Sequence, residues 1–253
     1  MVERRCEVLL ACLNGDRGRD SHPDVPLSPT ELAADAARCA GLGVGAVHVH
    51  PRTADGVESL RPADIADAVV AIRAAVPGLP VGVSTGAWIE PDPLARAAAV
   101  GAWTVLPDFA SVNAHEPGAE AVARALHERG VMVEAGLWTV PAVEAYRGWR
   151  VPVGRVLVEC MAPSSESALA EAAAMLDALA PSGHGGHLDA GLDTGSPVLL
   201  HAEGAGVWVV LAEAVRRGLD TRIGLEDTLR LPDGSLARDN AALVAAAVAL
   251  GAG

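Results

Sequence analysis

The chain has 253 residues, 51% of them hydrophobic and only 3% aromatic, with a formal net charge of −13. That length and apolar content suit one large α/β unit with an Ala, Val and Leu core. The acidic balance without a basic block excludes a nucleic-acid or anionic-membrane binder, and no apolar stretch reaches the length of a membrane span. All 19 basic residues are arginine, which excludes a lysine Schiff base and with it lysine-dependent aldolases and covalently held pyridoxal phosphate.

Met1–Cys6 is charged and too short for a secretory signal, so a cytoplasmic location is expected. Glu7–Leu13 reads as the first strand. Ser28-Pro29-Thr30-Glu31 opens a helix as a capping box, with Gly41 beyond its end. Gly45–Val49 is the second strand, followed by a helix over Pro62–Val76. Pro80–Val83 is the third strand, and a helix follows Pro91.

Strands are predicted at Phe109–Asn113, Val131–Ala135 and Arg155–Glu159, with helices over Ala119–Arg129, Val140–Arg147 and Glu166–Leu179. A Gly/His/Asp segment at 182–196 contains His184 and His187, read as incidental. Val198–His201 and Thr221–Leu225 complete eight strands, and helices Val207–Arg217 and Asn240–Leu250 complete eight helices. Strict alternation in this length predicts a single (β/α)8 TIM barrel over residues 1–253, with the active site at the strand C-terminal ends. An open doubly wound sheet is the rival. It would normally carry a Gly-rich phosphate turn after strand one, where this chain has Asn14-Gly15-Asp16-Arg17-Gly18.

Polar residues do collect after the predicted strands. Val47-His48-Val49-His50-Pro51-Arg52 places two imidazoles on one strand face, because side chains alternate along a strand. Glu226 is the candidate third ligand of a site with two histidines, one carboxylate and an open position, a set that suits zinc and that iron or manganese can also use. Arg222 lies four residues before Glu226 and is expected on the same side of the strand. Asp227 sits where strand becomes loop. Asn14, Ser84, Thr85, Asn113, Glu134, Glu159, His201 and Glu203 also fall at strand ends. Ser84 and Thr85 could cap a helix or bind a carboxylate or phosphate. Glu134, among apolar neighbours, needs a cationic partner, for which Arg222 is one choice. His201 either lines the site or packs behind it. His22, His115 and His127 are expected at the surface. Trp88, Trp103, Trp138 and Trp208 fall where they could narrow a pocket. Cys6, Cys12, Cys39 and Cys160 read as reduced, buried small hydrophobes.

Taken together these motifs resemble the β-keto acid cleavage enzymes, typified by 3-keto-5-aminohexanoate cleavage enzyme. The resemblance rests on the Asn14-Gly15 turn, Pro26-Leu-Ser-Pro-Thr-Glu-Leu32, His48-Val-His-Pro-Arg52 and Asp55-Gly56-x-Glu-Ser-Leu60. It continues through Val83-Ser-Thr-Gly86, Arg222-Ile-Gly-Leu-Glu-Asp227, Asp233-Gly234 and Asp239-Asn240. It implies one Zn2+ per chain on His48, His50 and Glu226, and a reaction of a β-keto acid with acetyl-CoA that yields acetoacetate and a new acyl-CoA. It further implies that Asp227, Arg222 and Glu134 handle proton transfer and charge, and that Ser84 holds the substrate carboxylate. Thr85, Asn14, Arg52 and Asn113 are the further substrate-binding candidates, and a homo-oligomer, tetramer or dimer, is expected. Absence of lysine agrees with metal-assisted enolate chemistry. The chain departs from the family pattern at Ala87-Trp88 and in its charged first loop. A CoA-independent metal hydrolase or lyase is the alternative function, and a non-catalytic binding barrel a third.

Overall fold

A computed structural model describes residues 8–180 and 195–253 of the chain. Cys6, Glu7, His184 and His187 lie outside the described residues. Eight strands run in chain order: β1 (Leu9–Cys12), β2 (Ala46–Val49), β3 (Val81–Ser84), β4 (Phe109–Asn113), β5 (Met132–Leu137), β6 (Arg155–Cys160), β7 (Val198–Ala202) and β8 (Thr221–Ile223). All the paired strands are parallel, in the order β7-β6-β5-β4-β3-β2-β1-β8. A parallel bridge from Leu199 to Asp220 and the Thr221 hydroxyl on the Leu200 carbonyl bring β7 to β8. The result is the expected (β/α)8 barrel.

The eight helices are α1 (Pro29–Ala40), α2 (Pro62–Ala75), α3 (Pro93–Gly101), α4 (Ala119–Glu128), α5 (Val140–Arg147), α6 (Ser165–Leu179), α7 (Val207–Arg217) and α8 (Asn240–Ala249). Local chemistry explains their starts. Ser28 accepts from the Glu31 N–H while the Glu31 carboxylate accepts from the Ser28 N–H, a complete capping box with Pro29 in the first turn. Asp92, Thr139, Ser164 and Asp239 side chains cap α3, α5, α6 and α8.

Strand alternation sorts the apolar residues into two layers. Leu9, Ala11, Val47 and Val49 point outward to the helices. Leu10, Cys12, Ala46, Phe109, Leu157 and Leu199 point inward and fill the barrel. Phe109 adds an aromatic ring to that filling, and Gly82 on the neighbouring strand leaves it room. A Cβ at Gly82 would lie 2.0 Å from its ring.

The bend after β8 depends on Gly224. A Cβ there would meet the Cys12 carbonyl oxygen at 1.8 Å, so β8 crosses the end of β1 only without a side chain. Asn240 fastens the crossing. Its amide donates to the Leu13 carbonyl and accepts from the Leu225 N–H. Gly224→Ala is expected to lower stability by about 3 kcal/mol or more, since neither backbone can yield. Gly101→Ala, which meets nothing within 4 Å, should be near neutral. Denaturant midpoints of the two variants check this.

Candidate active site

The inward parity that places Ala46 in the barrel also places His48 and His50 there, two and four residues on. Their rings meet edge to face with centroids 5.2 Å apart. Gly224–Thr228 forms a tight turn, with the Asp227 and Thr228 N–H groups donating to the Gly224 carbonyl, and it swings Glu226 toward the histidines. One ligand atom from each of His48, His50 and Glu226 lies within 4.8 Å of the others, and all three residues are buried. Arg222 and Glu226 therefore meet across a turn rather than along one strand, because β8 already ends at Ile223.

The donor chemistry fits a divalent cation. Burial pushes the His48 pKa down to about 3, so its imidazole is neutral, the form that ligates. His48 Nδ1 and Glu226 Oε2 are buried with no hydrogen-bond partner among the described residues, which is costly unless an ion completes them. Burial opposes charge on Glu226, but the Arg222 guanidinium overcomes it and holds the carboxyl well below its usual range. His50 Nδ1 lies 2.5 Å from Glu58 Oε1, which turns Nε2 toward the site, 3.7 Å from Glu226 Oε1. A carboxylate behind a ligating histidine fixes its tautomer and orientation.

Glu58 was not among the sequence candidates. The Asp55-Gly56 turn is its signal, since it folds the chain back so that Arg52 bridges Glu58 antiparallel. Trp88 Nε1 donates to both Glu58 oxygens, at 3.1 and 3.2 Å, and its ring stacks at 6.2 Å from His50. Arg17, in the charged first loop, donates through Nε to the Glu226 carbonyl. Gly15 has φ +55°, and a Cβ there would meet Glu226 Cγ at 2.6 Å, so the Asn-Gly turn is shaped to the Glu226 side chain.

Next to the triad, Arg222 Nη2 donates to Asp227 Oδ1 at 2.8 Å and forms an ion pair with Glu226 Oε1 at 2.9 Å. Asp227 Oδ2 is buried without a hydrogen-bond partner among the described residues. Arg222 thus pairs with Glu226 and Asp227 and not with Glu134. Glu134 takes Arg155 Nε at 2.5 Å, its register partner on β6, and Arg155 stacks over Phe109. That pair lies one inward layer beneath Leu157, which floors the cavity, so Glu134 is not among the lining residues.

A cavity of about 170 Å³ opens over the triad, bounded by Ser84, Ser111, Asn113, Trp88, Trp138, Glu159, Glu203 and Arg222. Three expected substrate ligands are engaged elsewhere. Asn14 exchanges two 2.9 Å bonds with the His50 backbone. Thr85 donates to the Ser111 carbonyl. Arg52 clamps the carbonyls of Gly15, Arg17 and Gly56. Each holds a strand-end loop in place, which a strand-end polar residue does as readily as it binds substrate. Trp103 is buried and bonded to the Leu60 carbonyl, and Trp208 reaches the Arg230 carbonyl, so neither narrows the cavity. His22 is buried, not at the surface, accepting from Asp24 and bonding the Ala237 carbonyl. His115 and His127 are exposed, and His115 rests on Trp138. Cys12, Cys39 and Cys160 are free and buried.

The sequence model of the family described as beta-keto acid cleavage enzyme matches residues 8–252. The chain belongs to this family. Among solved structures, ObcA in a ternary complex with a C4-CoA adduct and oxalate superposes with TM-score 0.65 at 17% identity, over 88% of this chain and 62% of that one. ObcA in a binary complex with oxaloacetate gives 0.64 over the same shares. An N-acetylmannosamine-6-phosphate 2-epimerase from Clostridium perfringens gives 0.55 at 13% identity, over 89% and 90%. These likenesses carry the fold. This member of the cleavage-enzyme family spans 62% of ObcA's length. Among the described residues no helix is long and apolar enough to cross a membrane.

One wall of the family member's cavity is acidic. Burial, then Glu159 and Asp227, push the Glu203 pKa up to about 7. Glu203 is therefore largely neutral below that pH and negative above it, where it repels an anionic substrate. We expect kcat/KM for an anionic substrate to fall roughly threefold to tenfold as pH rises through about 7. Glu203→Gln should flatten that limb, and a pH–rate profile of both proteins checks it.

Proposed function

We propose that the protein cleaves a β-keto acid with acetyl-CoA as co-substrate, releasing acetoacetate and the acyl-CoA of the remaining fragment. The observation that carries this reading is Asp227. Its Oδ2 is buried without a hydrogen-bond partner among the described residues, beside a site of two histidines and a carboxylate, with a fixed guanidinium on its other oxygen. A divalent cation held by His48, His50 and Glu226, zinc being favoured by the two imidazoles, supplies Lewis-acid polarisation of a keto oxygen when bound.

Asp227 Oδ2 takes a proton from the carbon between the keto and carboxylate groups. Arg222 stabilises the carboxylates around that step and keeps them from repelling each other. Ser84 lines the cavity and is placed to hold the substrate carboxylate; Asn113 lines it too, with one amide N–H donating to Glu116. The resulting carbanion attacks the acetyl thioester and expels CoA thiolate. The thiolate then adds to the original keto carbon, and the carbon–carbon bond breaks. Asp227 returns its proton to the departing carbon, giving acetoacetate. No lysine takes part. Family membership supports the chemistry class, and a homo-oligomer, dimer or tetramer, goes with the same reading.

Zinc-loaded protein incubated with a panel of β-keto acids and acetyl-CoA should release acetoacetate and a matched acyl-CoA, measured by mass spectrometry. Silence across the panel with metal bound overturns the reading. Turnover without CoA replaces it with a hydrolase or lyase.

A further inference from the structure

The sequence left His201 between lining the site and packing behind it. It lies on β7, 1% exposed, and is not among the residues lining the cavity. Its Nδ1 lies 3.0 Å from Arg222 Nε. A guanidinium only donates, so Nδ1 carries a lone pair, the ring is neutral, and its proton sits on Nε2. Nε2 faces Glu159 Oε2 at 3.5 Å.

This bond decides what Arg222 can do. An arginine beside a carboxylate favours a forked grip, Nε on one oxygen and an Nη on the other. Arg222 does not take Asp227 that way. Its Nε is spent on His201, and Nη2 alone reaches Asp227, on Oδ1 only. The lone pair of His201 Nδ1 lies 3.6 Å from that same oxygen, so the ring stands in the place a fork would need. Asp227 Oδ2 is left free.

We propose that His201 is a positioning residue for proton abstraction: by occupying Arg222 Nε it prevents a forked Arg222–Asp227 grip and keeps Asp227 Oδ2, next to the cavity-lining Glu226 and Arg222, unpaired among the described residues and able to accept a proton. This rests on the cleavage reading above. It names a residue that touches no substrate yet decides whether the base can act. Glu159 Oε2, 3.5 Å from Nε2 and not hydrogen-bonded to it, places a negative charge on that side of the ring, which favours a proton on Nε2 over Nδ1.

The test uses acetoacetate as probe, because every substrate of the proposed reaction yields it. Its methylene protons are followed by NMR in D2O with zinc-loaded protein and no CoA. Wild type should exchange them above the spontaneous rate. His201→Asn keeps an oxygen acceptor near the Nδ1 position and should remain within about threefold. His201→Gln moves its amide toward Glu159 and leaves Arg222 Nε free, and His201→Leu leaves it no acceptor at all. Both should lose about a hundredfold in exchange rate, with zinc content and acetoacetate affinity unchanged.

Exchange by Gln and Leu variants at the wild-type rate overturns the proposal, as does an Asn variant no better than Gln. If Leu fails to fold, the ratio of Asn to Gln carries the test. The ring ¹⁵N shifts of His201 give a readout independent of activity: an Nδ1–H tautomer overturns the proposal. A wild type that exchanges nothing overturns the cleavage reading instead, while the tautomer and the single-oxygen Arg222 contact can still be measured.

Discussion

Asp227→Asn is expected to keep its metal and lose turnover by about a thousandfold. The substitution is nearly isosteric. An amide oxygen can still accept from Arg222 Nη2 at the position of Oδ1. What changes is Oδ2, the buried oxygen with no partner, which becomes an NH2 unable to take a proton. The loss should fall on kcat, with KM and zinc content close to wild type. The Asp227 backbone bonds, its N–H to the Gly224 carbonyl and its carbonyl from the Gly204 N–H, are untouched by the substitution, so the fold should survive, and an unchanged thermal midpoint checks that. An Asp227→Asn protein with full activity would remove Asp227 from the proton step. A loss confined to KM would reassign it to binding.

His48→Ala should abolish both metal binding and activity while sparing the fold. His48 Nδ1 has no hydrogen-bond partner among the described residues, so removing the ring orphans no group there. The cost to the apo fold is mainly a small void, about 1–3 kcal/mol. The cost to the metal site is one of three protein donors. A bound ion stabilises only the folded state, by about 4 kcal/mol at a thousandfold excess over Kd. Wild type should therefore melt lower after chelation and recover with zinc, whereas His48→Ala should melt at the same temperature with or without either. If the variant still gained stability from zinc, the ion would be held elsewhere.

Both experiments concern residues that the sequence had already singled out, and that is no accident of this fold. Period-two alternation on β2 puts His48 and His50 on one face whatever surrounds them. A strand end in a (β/α)8 barrel opens on the cavity. The capping box at Ser28 and Glu31, and the alternation of eight apolar runs with eight helical ones, are likewise local. They depend on residues three or four apart, so they could be read without the fold.

Partner choice is a different kind of question. Glu134 needed a cation, and two arginines on neighbouring regions of the barrel were available. Register gave it Arg155, directly across the β5–β6 ladder. Arg222, on the far side of the β1–β8 pairing, was left for the carboxylates of its own turn. Asn14 looked like a substrate ligand because it follows a strand, yet its amide is matched to the His50 backbone 36 residues away. Glu58 stood in the Asp55-Gly56-x-Glu-Ser-Leu60 motif without an assigned role, and only the Asp-Gly turn brings it behind His50.

The barrel, the two candidate histidines, the candidate third ligand and the absence of any lysine chemistry were legible from residue type and short-range periodicity. Tertiary structure alone decided which charge meets which. The β4–β5–β6 stagger sank Glu134 beneath the cavity floor, and the Gly224 crossing brought Glu226 to its wall with Asp227 buried next to it. The meeting of β7 with β8 set His201 against Arg222 Nε. Those placements follow from register and closure between strands up to about two hundred residues apart, which no local pattern encodes.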